Sequence, residues 1–350
     1  MKVIILAGGG GTRLFPLSRS NYPKQFLKIG ADKSLLAQTI ERYLKVVEPQ
    51  NIIIVTNELY IHHIKAELKE SNAEEANILV EPMARNTAPA IVLAVRYCID
   101  KLAVDSNEIL FISPADHIIR PEDCFIEKVK EAKSAAEQGR IVTLGVKPDR
   151  AETGYGYMKV GQFCKSGLMV ERFIEKPDKQ KANEYLQDGN YYWNSGMYAF
   201  SISTFVEELR AHQSQIYELF DNSYKKLLND FMDMPSISID YAIAEKSTRV
   251  VTIPIDVYWN DIGSWDAIYD VMDKDKQGNV KIGDCIITDC SNSLIIGNSR
   301  MVTGIGLEDT IVIETDDVIL VAKKGETQKV KDLVEDIKNR NRKEAFEHSD

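Results

Sequence analysis

The chain has 350 residues, of which 44% are hydrophobic and 27% are charged, as in ordinary soluble globular proteins. This length predicts one catalytic domain with a smaller appendage. The formal net charge of −10 argues against a nucleic-acid partner. The five cysteines form no C-x-x-C pair, which favours reduced thiols over a disulfide framework or a zinc site. We find no apolar run long enough for a membrane span and expect a cytoplasmic protein.

A glycine-rich loop follows the first predicted strand. Apolar residues 3–7 lead into four successive glycines, and Arg13 and Lys24 come soon after them. Glycine lets backbone N–H groups approach an anion closely, so the loop and its two cations predict a polyphosphate site. A P-loop is excluded because the chain lacks the Gly-Lys pair, and a dinucleotide fingerprint is excluded because the third glycine is missing.

Alternating apolar patterns predict a doubly wound α/β sheet, whose ligands gather at the carboxyl ends of the strands. Beyond residue 280, short apolar runs between polar turns predict a small β-solenoid-like cap, closed by an amphipathic helix over residues 327–339. The predicted domains are a catalytic domain over 1–275, a β-rich cap with its helix over 276–340, and a disordered tail over 341–350. The predicted elements of the first domain are helices at 35–47, 61–70, 88–102 and 204–228, and strands at 51–56, 77–80, 109–112, 142–146, 170–177, 192–200 and 250–255.

Polar residues stand directly after several of these strands. Glu81 ends the strand at 77–80, and its carboxylate could accept both N1–H and the 2-amino group of guanine. Asn86 and Thr87 could contact a nucleotide or simply begin the next helix. Asp116 follows the strand at 109–112, where it could bind Mg²⁺ or end a turn. Asp240 is explained equally well by a ligand and by pairing with a helix terminus, and both interpretations stay open.

Six motifs occur in an order that resembles the sugar-nucleotide pyrophosphorylases, specifically the mannose-1-phosphate guanylyltransferases. They are G-G-G-G-T-R-L-F-P-L-S, P-K-Q-F, P-A-D-H, E-K-P, W-N-S-G and W-x-D-x-G-x-W, and they extend over most of the chain. The resemblance implies a Rossmann-like nucleotidyltransferase domain that transfers GMP from GTP to mannose 1-phosphate with the help of Mg²⁺. The products are then GDP-mannose and pyrophosphate.

The resemblance also implies roles for individual residues. Asp116 and Asp261 are expected to hold the metal and, with Arg13 and Lys24, to form the catalytic set. The sugar phosphate is expected at Gly156, Glu175, Lys176 and Asn194. The expected nucleotide-binding residues are Gly8, Gly9, Gly10, Gly11, Thr12, Gln25, Glu81, Asn86 and Thr87.

Three alternatives remain open at this stage. The substrate could be a different hexose or heptose 1-phosphate, or the base could differ. The protein could instead be a sugar-nucleotide sensor that keeps the pocket without the chemistry, although a sensor has no need of a paired metal site. An NAD-dependent dehydrogenase is the weakest alternative, because the fingerprint is wrong. The apolar stripe of the C-terminal helix must be buried on its own cap or on a second subunit, and we expect a homodimer.

Overall fold

The structure, a computed structural model, describes residues 1–348. The strands are β1 (Lys2–Leu6), β2 (Ile52–Thr56), β3 (Asn77–Val80), β4 (Ile109–Pro114), β5 (Ile118–Arg120), β6 (Ile141–Val146), β7 (Tyr157–Cys164), β8 (Gly167–Ile174), β9 (Tyr191–Ser201), β10 (Val250–Ile255), β11 (Tyr258–Asn260), β12 (Val280–Thr288), β13 (Leu294–Ile305), β14 (Thr310–Glu314) and β15 (Ile319–Lys323).

Ten α-helices accompany these strands in the described part of the chain. They are α1 (Leu35–Leu44), α2 (Ile61–Glu70), α3 (Thr87–Lys101), α4 (Glu122–Ala136), α5 (Lys179–Asp188), α6 (Ile202–His212), α7 (Ser214–Phe220), α8 (Tyr224–Asn229), α9 (Trp265–Val271) and α10 (Val330–Asn339). The single helix predicted over 204–228 is three helices, α6 to α8. Asp240–Ala244 forms a π-helical turn.

Packing divides the chain into two compact units. The first comprises Met1–Gly8, Thr39–Ala115 and Ile119–Trp259, and the second comprises Gly9–Gln38, Asp116–Ile118 and residues 260–348. This division differs from the predicted boundary after residue 275, because the glycine loop and both motif aspartates belong to the second unit. We call them the sheet unit and the C-terminal unit.

The sheet unit is built on nine strands in the order β3-β2-β1-β4-β9-β6-β10-β8-β7. The pairs β1–β2, β1–β4 and β2–β3 are parallel, as the α/β alternation predicts. Ile4 packs in one apolar cluster with residues of α3, whereas its neighbours Val3 and Ile5, which point to the opposite face, are equally inaccessible to solvent. Both faces of this part of the sheet are therefore covered, which confirms the predicted α/β fold.

The C-terminal unit contains a four-stranded sheet in the order β12-β13-β14-β15. The first three strands are parallel and β15 is antiparallel to β14, so the predicted β-rich cap is present. On α10, Val330 and Val334 are buried in an apolar cluster that also contains Leu14 and Phe15. Val330 and Val334 of the terminal helix are thus covered within their own unit, whereas Leu333 on the same stripe is 42% exposed.

The predicted disordered tail differs from the structure over residues 341–348. Lys343–Ala345 forms a short 3₁₀ helix, Ala345 is buried, and the Phe346 carbonyl accepts a hydrogen bond from the Asn21 backbone. Ser20 Oγ also donates to the Ala345 carbonyl. These contacts explain the order, because a polar segment is held when its backbone groups find partners. The rest of the predicted tail, residues 349–350, lies outside the described residues.

Candidate active site

The four glycines after β1 have different structural roles. A Cβ at Gly8 would lie 2.1 Å from Glu81 Oε1, so only glycine permits that approach. Gly11 has a φ of +44°, and a Cβ there would lie 2.8 Å from Lys24 Cβ. Gly9 and Gly10 are exposed and have open space around the Cβ position. Two glycines therefore permit close packing, and the two between them expose backbone to solvent or to a ligand.

Two cations of the C-terminal unit flank the loop Gly9–Gly11. Arg13 lies in the 3₁₀ turn Thr12–Leu14, and its guanidinium has no hydrogen-bond or ion-pair partner within residues 1–348. Lys24 Nζ lies 2.9 Å from Asp116 Oδ2 and donates to the Asp261 carbonyl at 2.5 Å. Gln25 Nε2 donates to the Gly9 carbonyl at 3.2 Å. Arg13 is therefore a half-buried cation that is available to an anion.

Lys24 joins the two aspartates that were predicted to share a metal. Burial alone would raise the pKa of Asp116, but Lys24 and His117 outweigh it and hold that pKa below its ordinary value. Asp261 Oδ1 accepts a hydrogen bond from the Gly263 backbone at 3.1 Å, in a turn where buried Ile262 has a φ of +48°. Positive φ is costly for a β-branched residue, so the fold maintains this turn against local strain.

The metal-binding capacity of this pair depends on additional oxygen ligands. Within residues 1–348, no group of three or more His, Cys, Asp or Glu side chains could hold a metal ion. Mg²⁺ usually takes one or two carboxylates and completes its shell with water and substrate phosphate oxygens. Asp116 and Asp261, which contact one ammonium group through a carboxylate and a carbonyl, fit such an incomplete ligand set.

Glu81 lies in the sheet unit at the end of β3, as predicted. Its carboxylate packs against Gly8, is 6% exposed, and accepts no hydrogen bond from any described residue. Burial raises the pKa of Glu81 to about 7. A buried acceptor without donors is costly for folding alone and is the kind of group that binding sites retain.

Asn86 and Thr87 begin α3. Asn86 Oδ1 accepts a hydrogen bond from the Thr87 backbone at 2.8 Å, and Thr87 Oγ1 accepts one from the Ile239 backbone at 2.9 Å. Asn86 has a φ of +70°, and its side chain is exposed. The helix-start interpretation is therefore observed for both residues, and nucleotide contact stays a prediction for them.

A second glycine in the sheet unit lies against a carboxylate. A Cβ at Gly156 would lie 2.7 Å from Glu175 Oε2, and Glu175 Oε1 forms an ion pair with Lys176 Nζ. Lys176 is exposed and has a φ of +44°. Two of the residues predicted to bind the sugar phosphate are thus in contact, and the third permits their approach.

Asn194 is engaged on every side by the protein. Its Nδ2 donates to Tyr198 Oη at 3.1 Å and to Asp240 Oδ1 at 2.8 Å, and its Oδ1 accepts from Thr143 Oγ1 at 2.8 Å. Tyr198 Oη also donates to Asp240 Oδ1 at 2.6 Å. A sugar hydroxyl would have to replace one of these contacts, so the predicted role of Asn194 stays a prediction. Asp240, which the sequence left undecided, is the acceptor on which this network converges.

The chain matches the family described as Nucleotidyl transferase over residues 2–278. It belongs to that family. Within the nucleotidyl transferases it groups with the mannose-1-phosphate guanylyltransferases, as the motifs predicted. An Escherichia coli O157:H7 relative named Mannose-1-phosphate guanylyltransferase 2 is 39% identical over 363 residues, covering 99% of this chain and 75% of the relative. Xanthan biosynthesis protein XanB of Xanthomonas campestris pv. campestris is 43% identical over 355 residues, with the same two coverages.

Other comparisons bear on the fold of this nucleotidyl transferase. Residues 283–337 match a domain described as MannoseP isomerase/GMP-like beta-helix. A Thermus thermophilus structure, described as a mannose-1-phosphate geranyltransferase, is similar with a TM-score of 0.86 and 31% identity, covering 96% of this chain and 99% of that one. No helix among the described residues is both long and apolar enough to cross a membrane.

Proposed function

We propose that this nucleotidyl transferase transfers GMP from GTP to mannose 1-phosphate, giving GDP-mannose and pyrophosphate. Its membership among proteins named mannose-1-phosphate guanylyltransferase supports the reaction. The observation that carries the assignment to this chain is the glycine loop, where Arg13 has no partner among the described residues and exposed backbone lies beside it. Such a loop is suited to a polyphosphate.

The chemistry is a single in-line displacement. An oxygen of the sugar phosphate forms a bond to the α-phosphorus of GTP while the bond from that phosphorus to the β-bridging oxygen breaks. The attacking oxygen is already anionic at neutral pH, so no general base is needed and catalysis reduces to positioning and charge neutralisation. Two unit charges about 4 Å apart repel by about 4 kcal/mol at an effective dielectric constant of 20, so the approach requires cations.

The proposed roles of the cations follow from this repulsion. Arg13 and the backbone of Gly9–Gly11, with Thr12 and Gln25 beside them, bind the phosphates that leave as pyrophosphate. Lys24 exchanges Asp116 for the α-phosphate, and Lys176 binds the incoming sugar phosphate.

We further propose that Asp116 and Asp261 hold Mg²⁺. When bound, Mg²⁺ would supply positive charge to the phosphate oxygens around the reacting phosphorus. The contact of both residues with one ammonium group supports a shared cation site.

Glu81 is the proposed reader of the base, because its buried carboxylate can accept the two adjacent donors of guanine. Asn86 and Thr87 lie five and six residues further along the chain and complete the proposed nucleotide set. Glu175 is the proposed acceptor for sugar hydroxyls, and Gly156 leaves room for its carboxylate. Asn194, which donates to Asp240 in the same unit, is a further proposed sugar contact.

The test is pyrophosphate release from GTP, ATP, UTP and dTTP, each with and without mannose 1-phosphate and a panel of other hexose and heptose 1-phosphates. We expect Mg²⁺-dependent release with GTP and mannose 1-phosphate only. Faster release with another sugar 1-phosphate would show that mannose 1-phosphate is not the preferred substrate. Tight binding of GDP-mannose without any release would favour the sensor. The homodimer and the cytoplasmic location are also proposed, and light scattering and cell fractionation test them.

A further inference from the structure

A buried ion pair inside the C-terminal unit has no part in the chemistry above. Arg19 is wholly inaccessible to solvent and Asp317 is 6% exposed, with Arg19 Nη2 2.8 Å from Asp317 Oδ1. The two residues are 298 positions apart in the chain. Arg19 lies between Arg13 and Lys24, whereas Asp317 lies in the turn from β14 to β15.

The Arg19 guanidinium has a second contact besides the Asp317 carboxylate. It lies over the ring of Phe15, with 4.5 Å between Cζ and the ring centroid, and its Nε and Nη1 have no hydrogen-bond partner among the described residues. Burial lowers the pKa of Arg19, and Asp317 opposes that shift. Burying a guanidinium with two unsatisfied nitrogens is costly, so the folding energy gained from this pair is small at best.

The position of Arg19 is defined from both sides. Its backbone exchanges hydrogen bonds with Tyr22, Arg19 N to Tyr22 O at 2.9 Å and Tyr22 N to Arg19 O at 3.2 Å. Phe15, beneath the guanidinium, accepts a hydrogen bond at its carbonyl from Trp265 Nε1 at 2.9 Å. The pair therefore lies on the turn that separates the two cations of the glycine loop.

We propose that Arg19 and Asp317 are positioning residues, through which the β-rich sheet holds Arg13 and Lys24 in place for the nucleotide phosphates. Neither residue contacts substrate. The inference rests on the proposed function only in taking GTP as the ligand of the loop. A misplacement of a catalytic group by about 1 Å can lower the reaction rate by about 10²-fold. The pair therefore affects nucleotide affinity and reaction rate without contacting the nucleotide.

The first experiment compares Asp317→Asn with Asp316→Asn, which changes the exposed neighbour on the same turn. Binding of GTP with Mg²⁺ is measured by calorimetry without sugar phosphate, and KM is measured for both substrates. We expect Asp317→Asn to raise Kd and KM for GTP by about 10- to 100-fold. The KM for mannose 1-phosphate should not change, and Asp316→Asn should behave as wild type.

The comparison of the two KM values distinguishes a positioning role from general instability of the protein. Partial unfolding lowers the active fraction, which reduces kcat but changes neither KM. Equal increases in both KM values, or an unchanged Kd for GTP in folded Asp317→Asn, would overturn the proposal. Failure of the proposed function gives a different result, because the wild-type protein would then bind GTP without releasing pyrophosphate. The Kd for GTP would still measure the effect of the Arg19–Asp317 pair.

Two further variants guard against misfolding of Asp317→Asn, which leaves a buried cation unpaired. Arg19→Met combined with Asp317→Leu removes both charges, and such apolar replacements are often neutral for stability. We expect this double variant to fold and still to bind GTP weakly. Arg19→Lys keeps the charge but loses the planar contact with Phe15, and should have an intermediate Kd. Wild-type GTP affinity in the double variant would show that the pair has no positioning role.

Discussion

Replacing Glu81 with Gln should stabilise the free protein and impair its choice of base. The carboxyl has a pKa of about 7 in place of 4.5, because it is buried against Gly8. That difference corresponds to about 3 kcal/mol, the cost of ionising the group in the folded protein. Since the folded pKa is raised, the folded state binds more protons between pH 4.5 and 7, and stability falls as the pH rises through that window.

Urea unfolding measures this effect directly. The free energy of unfolding of Glu81→Gln should equal that of wild type at pH 4 and exceed it by at most about 3 kcal/mol at pH 8, because the neutral amide avoids the cost of ionisation. Glu75→Gln, an exposed change in the same unit, is the control and should show no such difference. An equal stability of Glu81→Gln and wild type at pH 8 would mean that the carboxylate is not destabilised by burial.

The preference for GTP over ITP tests whether the Glu81 carboxylate recognises the base. ITP lacks the 2-amino group of guanine, and one hydrogen bond to a charged group contributes about 1.5–3 kcal/mol, so wild type should prefer GTP over ITP by roughly 10- to 100-fold in kcat/KM. The ionised carboxylate is required, so kcat/KM for GTP should fall below about pH 7 in wild type and less steeply in Glu81→Gln. If the variant keeps the full preference, Glu81 does not read guanine.

Three other changes have defined outcomes. Asp116→Asn or Asp261→Asn should lower Mg²⁺-dependent turnover by roughly 10² to 10³ with an unchanged fold, and full activity in Asp261→Asn would disprove the shared metal site. The Glu314 carboxylate accepts hydrogen bonds from the backbone of residues 298–300 and from Ser299 Oγ, which outweigh burial and lower its pKa to about 2. Glu314 therefore stabilises the protein above pH 4.5 and loses that effect as the pH falls toward 2. Glu314→Gln should lower the free energy of unfolding in urea by about 1–3 kcal/mol at pH 7 and by less at pH 3. Truncation after Gly325 removes α10 and should cause aggregation in light scattering, whereas a soluble fragment of unchanged stability would contradict the packing.

Local patterns predict the parallel strands β1 to β4 because each is short, apolar and bounded by glycine, proline or a polar residue, whereas β7, which carries Lys159 and Gln162, was not predicted. The bounds of α2, β3 and β10 agree with the prediction residue for residue. The helix predicted over 204–228 was wrong in extent, because Gln213 and the segment around Ser223 interrupt a continuous apolar periodicity. Breaks of this kind depend on tertiary packing, which a pattern of 3.6 residues does not report.

Long-range pairing is the part that the sequence could not supply. Nothing near Arg19 indicates a carboxylate 298 positions away, and an arginine between polar serines ordinarily suggests an exposed side chain. A signal was nevertheless present, because Arg19 belongs to the same conspicuous stretch as Arg13 and Lys24. Asp240 was equally ambiguous, since its role as a shared acceptor depends on Asn194 and Tyr198, which are more than 40 residues earlier in the chain.

The glycines of the predicted site have more than one structural role. The sequence predicts that the missing side chain frees the backbone to bind phosphate, and Gly9 and Gly10 fit that explanation. Gly8 does not, because it provides the space that a carboxylate oxygen occupies, 2.1 Å from the position of the missing Cβ, and Gly156, which only the resemblance predicted, provides such a space at 2.7 Å. An alanine at either position would displace the carboxylate without changing any charge. Each glycine, 73 residues before its glutamate in one case and 19 in the other, therefore constrains where that carboxylate lies, and only the folded sheet unit reveals this.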